Sequence, residues 1–169
     1  MSGTWKMPNG PVVLNNTPLV ALWSLGRLDL LRDLYQEVLI PRAVEEEFLA
    51  TESSARRKAL DDAPWVRAVE LPHPRRALAY AGLHRGEAAV LALAEEMDAR
   101  LVALDERKAR RYAERLGLPL TGTLGILLEA KRAGLVVSAS DCISQLLSAG
   151  LFFSPDLVRR ALEIAGEAS

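Results

Sequence analysis

Polar residues break into otherwise apolar stretches of this 169-residue chain at a few places, and each break offers oxygen ligands or hydrogen-bonding groups. VVLNNTPLVAL, residues 12–22, sets Asn15, Asn16, Thr17 and Pro18 between two apolar runs; LVALDERKARR, residues 101–111, ends an apolar run on Asp105; and LPLTGTLG, residues 118–125, ends another on Thr121-Gly122-Thr123. Glu87 stands immediately before AAVLALA, where burying a lone carboxylate would be costly without a cation or hydrogen bonds. In PRAVEEEF, a rotation of about 100° per helical residue sends Glu46 away from the Val44/Phe48 face, leaves Glu45 ambiguous, and sets Glu47 beside that face within reach of a cleft.

Should these groups meet, Glu47, Glu87 and Asp105, helped by the amide of Asn15 and the hydroxyl of Thr17, would make an all-oxygen set. Hard cations such as Mg²⁺ or Mn²⁺ suit it, whereas zinc prefers His and Cys. An ion held this way activates water and neutralises a leaving oxygen, the requirements of phosphodiester cleavage. Each feature also has a plainer reading. Asn-Asn-Thr-Pro is turn and helix-start chemistry, Glu87 would be favoured by a helix dipole, and Thr121 or Thr123 either caps a helix or offers a helix start to substrate phosphate.

The elements that would position these residues are legible as alternation. Short Val-, Leu- and Ile-rich runs at Pro11–Leu14, Glu37–Ile40, Leu101–Leu104 and about Gly117–Leu120 are separated by helical patterns, which predicts parallel strands with crossover helices in an α/β sandwich. Val66–Leu71 is a weaker strand candidate at an edge or in a loop. In parallel α/β sheets ligands bind beyond the carboxyl ends of strands, and Asn15–Thr17, Asp105 and Thr121–Thr123 all follow such ends. The segment from Gly86 to Met97 is apolar nearly all round, so it should lie packed between layers. Ala109, Tyr112, Ala113 and Leu116 recur at helical spacing and leave the arginines of that segment outside the buried stripe. Ser154-Pro155-Asp156 starts a helix that runs to Gly166. With a further helix near Ala139–Ser148, it would cover the sheet or a partner subunit.

Bulk composition narrows the function classes. One domain of ordinary size fits the length. A formal charge of -1 argues against a dedicated basic nucleic-acid coat, yet Arg107, Lys108, Arg110, Arg111 and Arg115 crowd one segment and Glu45–Glu47 another, allowing opposite local fields or two solvated faces. A single cysteine, Cys142, excludes an internal disulfide and fits a reducing cytoplasm. No apolar run approaches the ~20 residues of a membrane span, and the first ten residues read as a loose leader without the features of a signal peptide.

Taken in order, VVLNNTPL, GRLDLL, VLIPRAVEEEF, RGEAAVLALA and LVALDERKARRYAERLGLPLTGTLGILLEAKRAGL resemble the PIN-domain family, in particular a branch of short prokaryotic proteins related to toxin nucleases. The resemblance spans about residues 11–135 and is less distinct beyond. It implies a three-layer α/β sandwich with a central, mainly parallel sheet. Residues 1–10 form the leader, 11–135 the PIN-like domain, and 136–169 a C-terminal helical extension on the same domain.

The resemblance further implies a cytoplasmic, Mg²⁺- or Mn²⁺-dependent endoribonuclease, the toxin of a toxin–antitoxin pair, with RNA and a small antitoxin protein as partners, a homodimer as an option, and no membrane association. The family's acidic positions fall on Glu47, Glu87 and Asp105. Its first acidic position falls on Asn15, a neutral and weaker ligand, and its next polar position on Thr17. Arg107, Arg110 and Arg111 would steer RNA phosphates, with Thr121 and Thr123 assisting. Two other readings follow from the residues. The amide at Asn15 suits a PIN-like module that binds RNA or a partner without cleaving, and TGTLG suits a phosphate-binding α/β protein, although no Walker or dinucleotide glycine pattern is present.

Overall fold

A computed structural model describes residues 10–168; most of the leader expected over residues 1–10 lies outside the described residues. Five strands, β1 (Val12–Leu14), β2 (Val38–Pro41), β3 (Val66–Val69), β4 (Leu101–Ala103) and β5 (Leu120–Thr121), form one sheet in the order β3-β2-β1-β4-β5. Every pairing is parallel, with Val12 opposite Val38 and Leu101, and Ala103 opposite Leu14 and Thr121. The α/β architecture with a central parallel sheet is therefore as expected. Val12 to Leu14 and Val38 to Pro41 are buried throughout, as strands covered on both faces must be.

Nine α-helices accompany the sheet among the described residues: α1 (Asn16–Ser24), α2 (Asp29–Tyr35), α3 (Arg42–Phe48), α4 (Ser53–Asp61), α5 (Arg85–Glu96), α6 (Arg107–Arg115), α7 (Thr123–Arg132), α8 (Ala139–Ser148) and α9 (Pro155–Ile164). Helix α5 packs on β1 and β2 between α3 and α6, and every residue from Gly86 to Ala94 is buried, which accounts for its all-round apolar sequence. Helix α7 packs against α1, α2, α8 and α9. No helix among the described residues is long and apolar enough to cross a membrane.

Some boundaries depart from the periodicity. The segment expected as a strand from Gly117 begins only at Leu120, because Gly117, at φ 71°, closes α6 with its N–H on the Glu114 carbonyl. The weak candidate over Val66–Leu71 is the edge strand β3, ending at Val69. Pro41 closes β2 and precedes α3 directly, so Glu45–Glu47 are fixed close to a strand end. On α6, Ala109 and Ala113 are buried, Tyr112 is half-buried with its hydroxyl on the Ala81 carbonyl, and Leu116 is partly exposed at the helix end.

The C-terminal helices are tied down by one carboxylate. Glu167 accepts hydrogen bonds from Lys131 Nζ on α7, from the Ala139 and Ser140 N–H groups at the start of α8, and from Ser138 Oγ. These bonds hold its carboxyl down at about 2. The end of α9 is thereby latched to α7 and α8.

Candidate active site

The strand order creates the site. β1 and β4 are neighbours although far apart in sequence, so the chain's two excursions leave the sheet in opposite directions from that pair and open a crevice at its carboxyl end. Asn15 follows β1 and donates its N–H to the Ala103 carbonyl at 3.0 Å, which brings it beside the strand that leads into Asp105. Asn15 is 5% exposed, and its Oδ1 has no hydrogen-bond partner; Asn16 Oδ1 is also buried and unpartnered. An orphaned buried carbonyl costs about 1–3 kcal/mol, so this oxygen is poised for a donor or a cation.

Gly86 packs beside it. A Cβ at this position would stand 2.7 Å from Glu47 Oε1 and 3.9 Å, an ordinary contact distance, from Asn15 Oδ1, so the start of α5 lies close to both oxygens. At this point lies an open hollow of about 440 Å³, lined by Ala43, Glu46, Glu47, His84, Arg85 and Gly86. Glu47 itself is exposed. Glu46, which points to solvent as its helix phase demands, binds Arg85 at 2.7 Å on the rim. Glu45 turns aside to Arg42 and Arg57.

Glu87 is buried at 9% exposure and accepts the His84 N–H at 3.1 Å, the reach-back bond of a glutamate at the third helical position. Loss of water raises its carboxyl above the ordinary range; the His84 N–H works against that rise, and the nearby Glu106 and Glu47 carboxylates reinforce it. The helix-start reading of Glu87 and its place among acidic groups thus hold together. Glu106 was missed by sequence reasoning. It is the N-cap of α6, accepting the Ala109 N–H at 2.9 Å, and an acid directly after Asp105 three residues before a buried alanine is the signal that locates it.

Asp105 is half-buried and held from the other side of the crevice. The Thr123 N–H donates to its Oδ1 at 3.0 Å and the Thr123 hydroxyl to its Oδ2 at 2.6 Å. Thr123 is fully buried and both donors go to Asp105, so at the start of α7 it orients this carboxylate. Gly122 plays the same part here as Gly86 does for Glu47, since a Cβ would sit 2.7 Å from Asp105 Oδ1. Arg110 reaches back under the strand ends, its Nη1 donating to the Leu104 carbonyl at 2.6 Å and the Thr121 carbonyl at 3.1 Å. Thr121 is half-buried beside it, Thr17 is exposed on the first turn of α1, and Arg107 and Arg111 are exposed on α6.

Among the described residues, no three His, Cys, Asp or Glu side chains converge closely enough to enclose a metal. The oxygen set nevertheless fits a small hard cation. Mg²⁺ usually keeps several waters and takes only one or two protein carboxylates, and here an orphaned amide oxygen and a carboxylate flank Gly86.

No curated protein matches the chain. A family model, DUF3368, described as a PIN domain, matches residues 11–167 and so reaches through the C-terminal helices, beyond residue 135 where the sequence resemblance fades. PIN domains are in general nucleases, and such nucleases generally use divalent metal ions. With the parallel sheet and the acidic crevice at its carboxyl edge, that match places the chain in the PIN-domain family.

Proposed function

We propose that this protein is a metal-dependent endoribonuclease. The observation that carries the reading is the buried, unpartnered Asn15 Oδ1, which with Glu47 Oε1 flanks Gly86 at the start of α5, the helix that carries the desolvated Glu87. Asn15 with one or two of Glu47, Glu87 and Asp105, and with Thr17 at the edge, would hold Mg²⁺ or Mn²⁺. Once bound, the ion supplies water activation and neutralisation of charge on the phosphodiester. Water would form a bond to phosphorus as the P–O3′ bond breaks, its proton passing to the leaving 3′ oxygen, to give a 5′ phosphate and a 3′ hydroxyl.

The protein's own groups prepare the site. Thr123 fixes both oxygens of Asp105, the His84 N–H fixes Glu87, and Gly86 and Gly122 keep the carboxylates unobstructed. Arg107 and Arg111 attract the RNA backbone, while Arg110 braces the strand ends and Thr121 lies beside it. The finer assignment, the toxin of a cytoplasmic toxin–antitoxin pair whose small antitoxin protein covers the cleft of a monomer or homodimer, rests on the resemblance alone.

A second reading has its own observation. Asn15 supplies a neutral ligand where the family pattern has an acid, which favours a PIN-like module that binds RNA or a partner without cutting it. Thermal melting in a Mn²⁺ titration separates the two: concentration-dependent stabilisation is expected for a working metal site, and an unmoved transition supports the binding module.

A further inference from the structure

A second hollow lies on the other side of Asp105 from the Glu47 hollow. About 840 Å³ in volume, it runs from Asp105 between α6 and α9. Its apolar lining comes from Leu120, Leu124, Phe153 and Leu157, and four arginines stand around it: Arg107, Arg110 and Arg111 from α6, and Arg160 from α9. Resting on the nuclease reading, we infer that this groove is the path of a single-stranded RNA leading to Asp105, with Arg160 of the C-terminal helix as a phosphate-positioning residue opposite Arg107 and Arg111.

The pairing pattern of the arginines supports this. Most exposed arginines outside the groove meet carboxylates, as in Arg42–Glu45, Arg57–Glu45, Arg76–Glu96, Arg85–Glu46 and Arg159–Asp156, with Arg75 and Arg115 as exceptions among the described residues. Among the described residues, Arg107, Arg111 and Arg160 make no ion pair, although Glu114 and Asp156 border the same groove and Asp156 pairs with Arg159 instead. Arg107 and Arg111 on α6 and Arg160 on α9 line the groove from two helices, so a polyanion lying in it can meet all three. The apolar lining decides which kind. A duplex presents only backbone to such a groove, whereas a single strand can lay a base on the exposed Leu157 and the half-buried Leu120, above the buried Leu124 and Phe153, while its phosphates meet the arginines. The Glu167 latch fixes α9 relative to α7, so the groove is preformed.

The test is anisotropy of a labelled single-stranded RNA of about a dozen nucleotides, measured without metal so that nothing is cut, over a range of salt. Arg160→Gln should weaken binding about threefold to tenfold and lower the log–log salt slope by about 0.7. Arg75→Gln, exposed, without an ion pair among the described residues and outside the groove, should change neither. Arg160 is exposed and unbonded, so equal melting curves are expected for all three proteins. Wild-type affinity and slope in Arg160→Gln would overturn the inference and leave the nuclease reading standing. The same holds if duplex RNA binds tighter than single strands, or if an acidic peptide, and not RNA, loses affinity in Arg160→Gln. Failure of the wild type to bind RNA at any salt would overturn both.

Discussion

Thr123 gives Asp105 two hydrogen bonds, one from its N–H at 3.0 Å and one from its hydroxyl at 2.6 Å, so a residue at the start of α7 sets the orientation of the carboxylate that ends β4. Thr123→Val preserves the branched shape in this fully buried position and removes only the hydroxyl bond. RNA cleavage should fall about tenfold, a loss near 1.4 kcal/mol, while the melting transition drops by the worth of about one hydrogen bond, 0.5–1.5 kcal/mol. Thr123→Ser should restore most of the activity. Cleavage unchanged in Thr123→Val would mean that the amide alone orients Asp105.

Glu87 carries a pH signature. Its folded carboxyl lies above the 4.5 of the unfolded chain, chiefly through loss of water. Protonation therefore favours the folded state: this contribution is most favourable below the unfolded value and fades as pH rises through the folded one. Metal-free Glu87→Gln should accordingly melt above the wild type at neutral pH, with the gap closing as pH falls to 4.5. Added Mn²⁺, which favours the carboxylate, should reverse the order. Parallel melting curves at every pH would place Glu87 in ordinary solvent.

Glu167 has the opposite sign. Its carboxyl is held at about 2, below the ordinary 4.5, by Lys131 and by the α8 amides. The stabilisation is complete above the unfolded value and is lost as pH falls through about 2. Glu167→Gln should melt lower than wild type at neutral pH and converge with it in acid. A constant difference down to about pH 2 would contradict the latch.

The parallel architecture was legible because strands buried on both faces read as short continuous apolar runs, and because α5, covered on all sides, has no polar stripe. Asn15 and Asp105 were legible as residues that follow strands, and Glu87 as a residue in the first turn of a helix, because strand ends and helix starts carry local signals. What the residues could not reveal were long-range partnerships. Nothing in the local pattern at Thr123 distinguishes a helix cap from a brace on Asp105, 18 residues earlier. Arg110 looked like its exposed neighbours until the strand ends came within its reach. Arg160 joined the basic segment only because α9 folds back beside α6, a juxtaposition without any sequence periodicity.

Asn15 offers a gain-of-function test. Asn15→Asp keeps the shape and adds one negative charge to a buried oxygen that has no partner. Beside a divalent cation this should tighten Mn²⁺ binding by about 1 to 2 kcal/mol after repulsion from the neighbouring carboxylates and screening, roughly tenfold or somewhat more. Calorimetric titration of both proteins measures it. Equal affinities would place Asn15 outside the metal's surroundings.

The central claim is tested most directly by incubating the purified protein with single-stranded RNA and Mn²⁺ and comparing it with Asp105→Asn, Glu87→Gln and the rim variant Glu46→Gln. Cleavage that disappears on chelation, is lost in the first two variants and survives in Glu46→Gln is the predicted result. Absence of cleavage by the wild type in saturating Mn²⁺, or equal cleavage by Asp105→Asn, would contradict it.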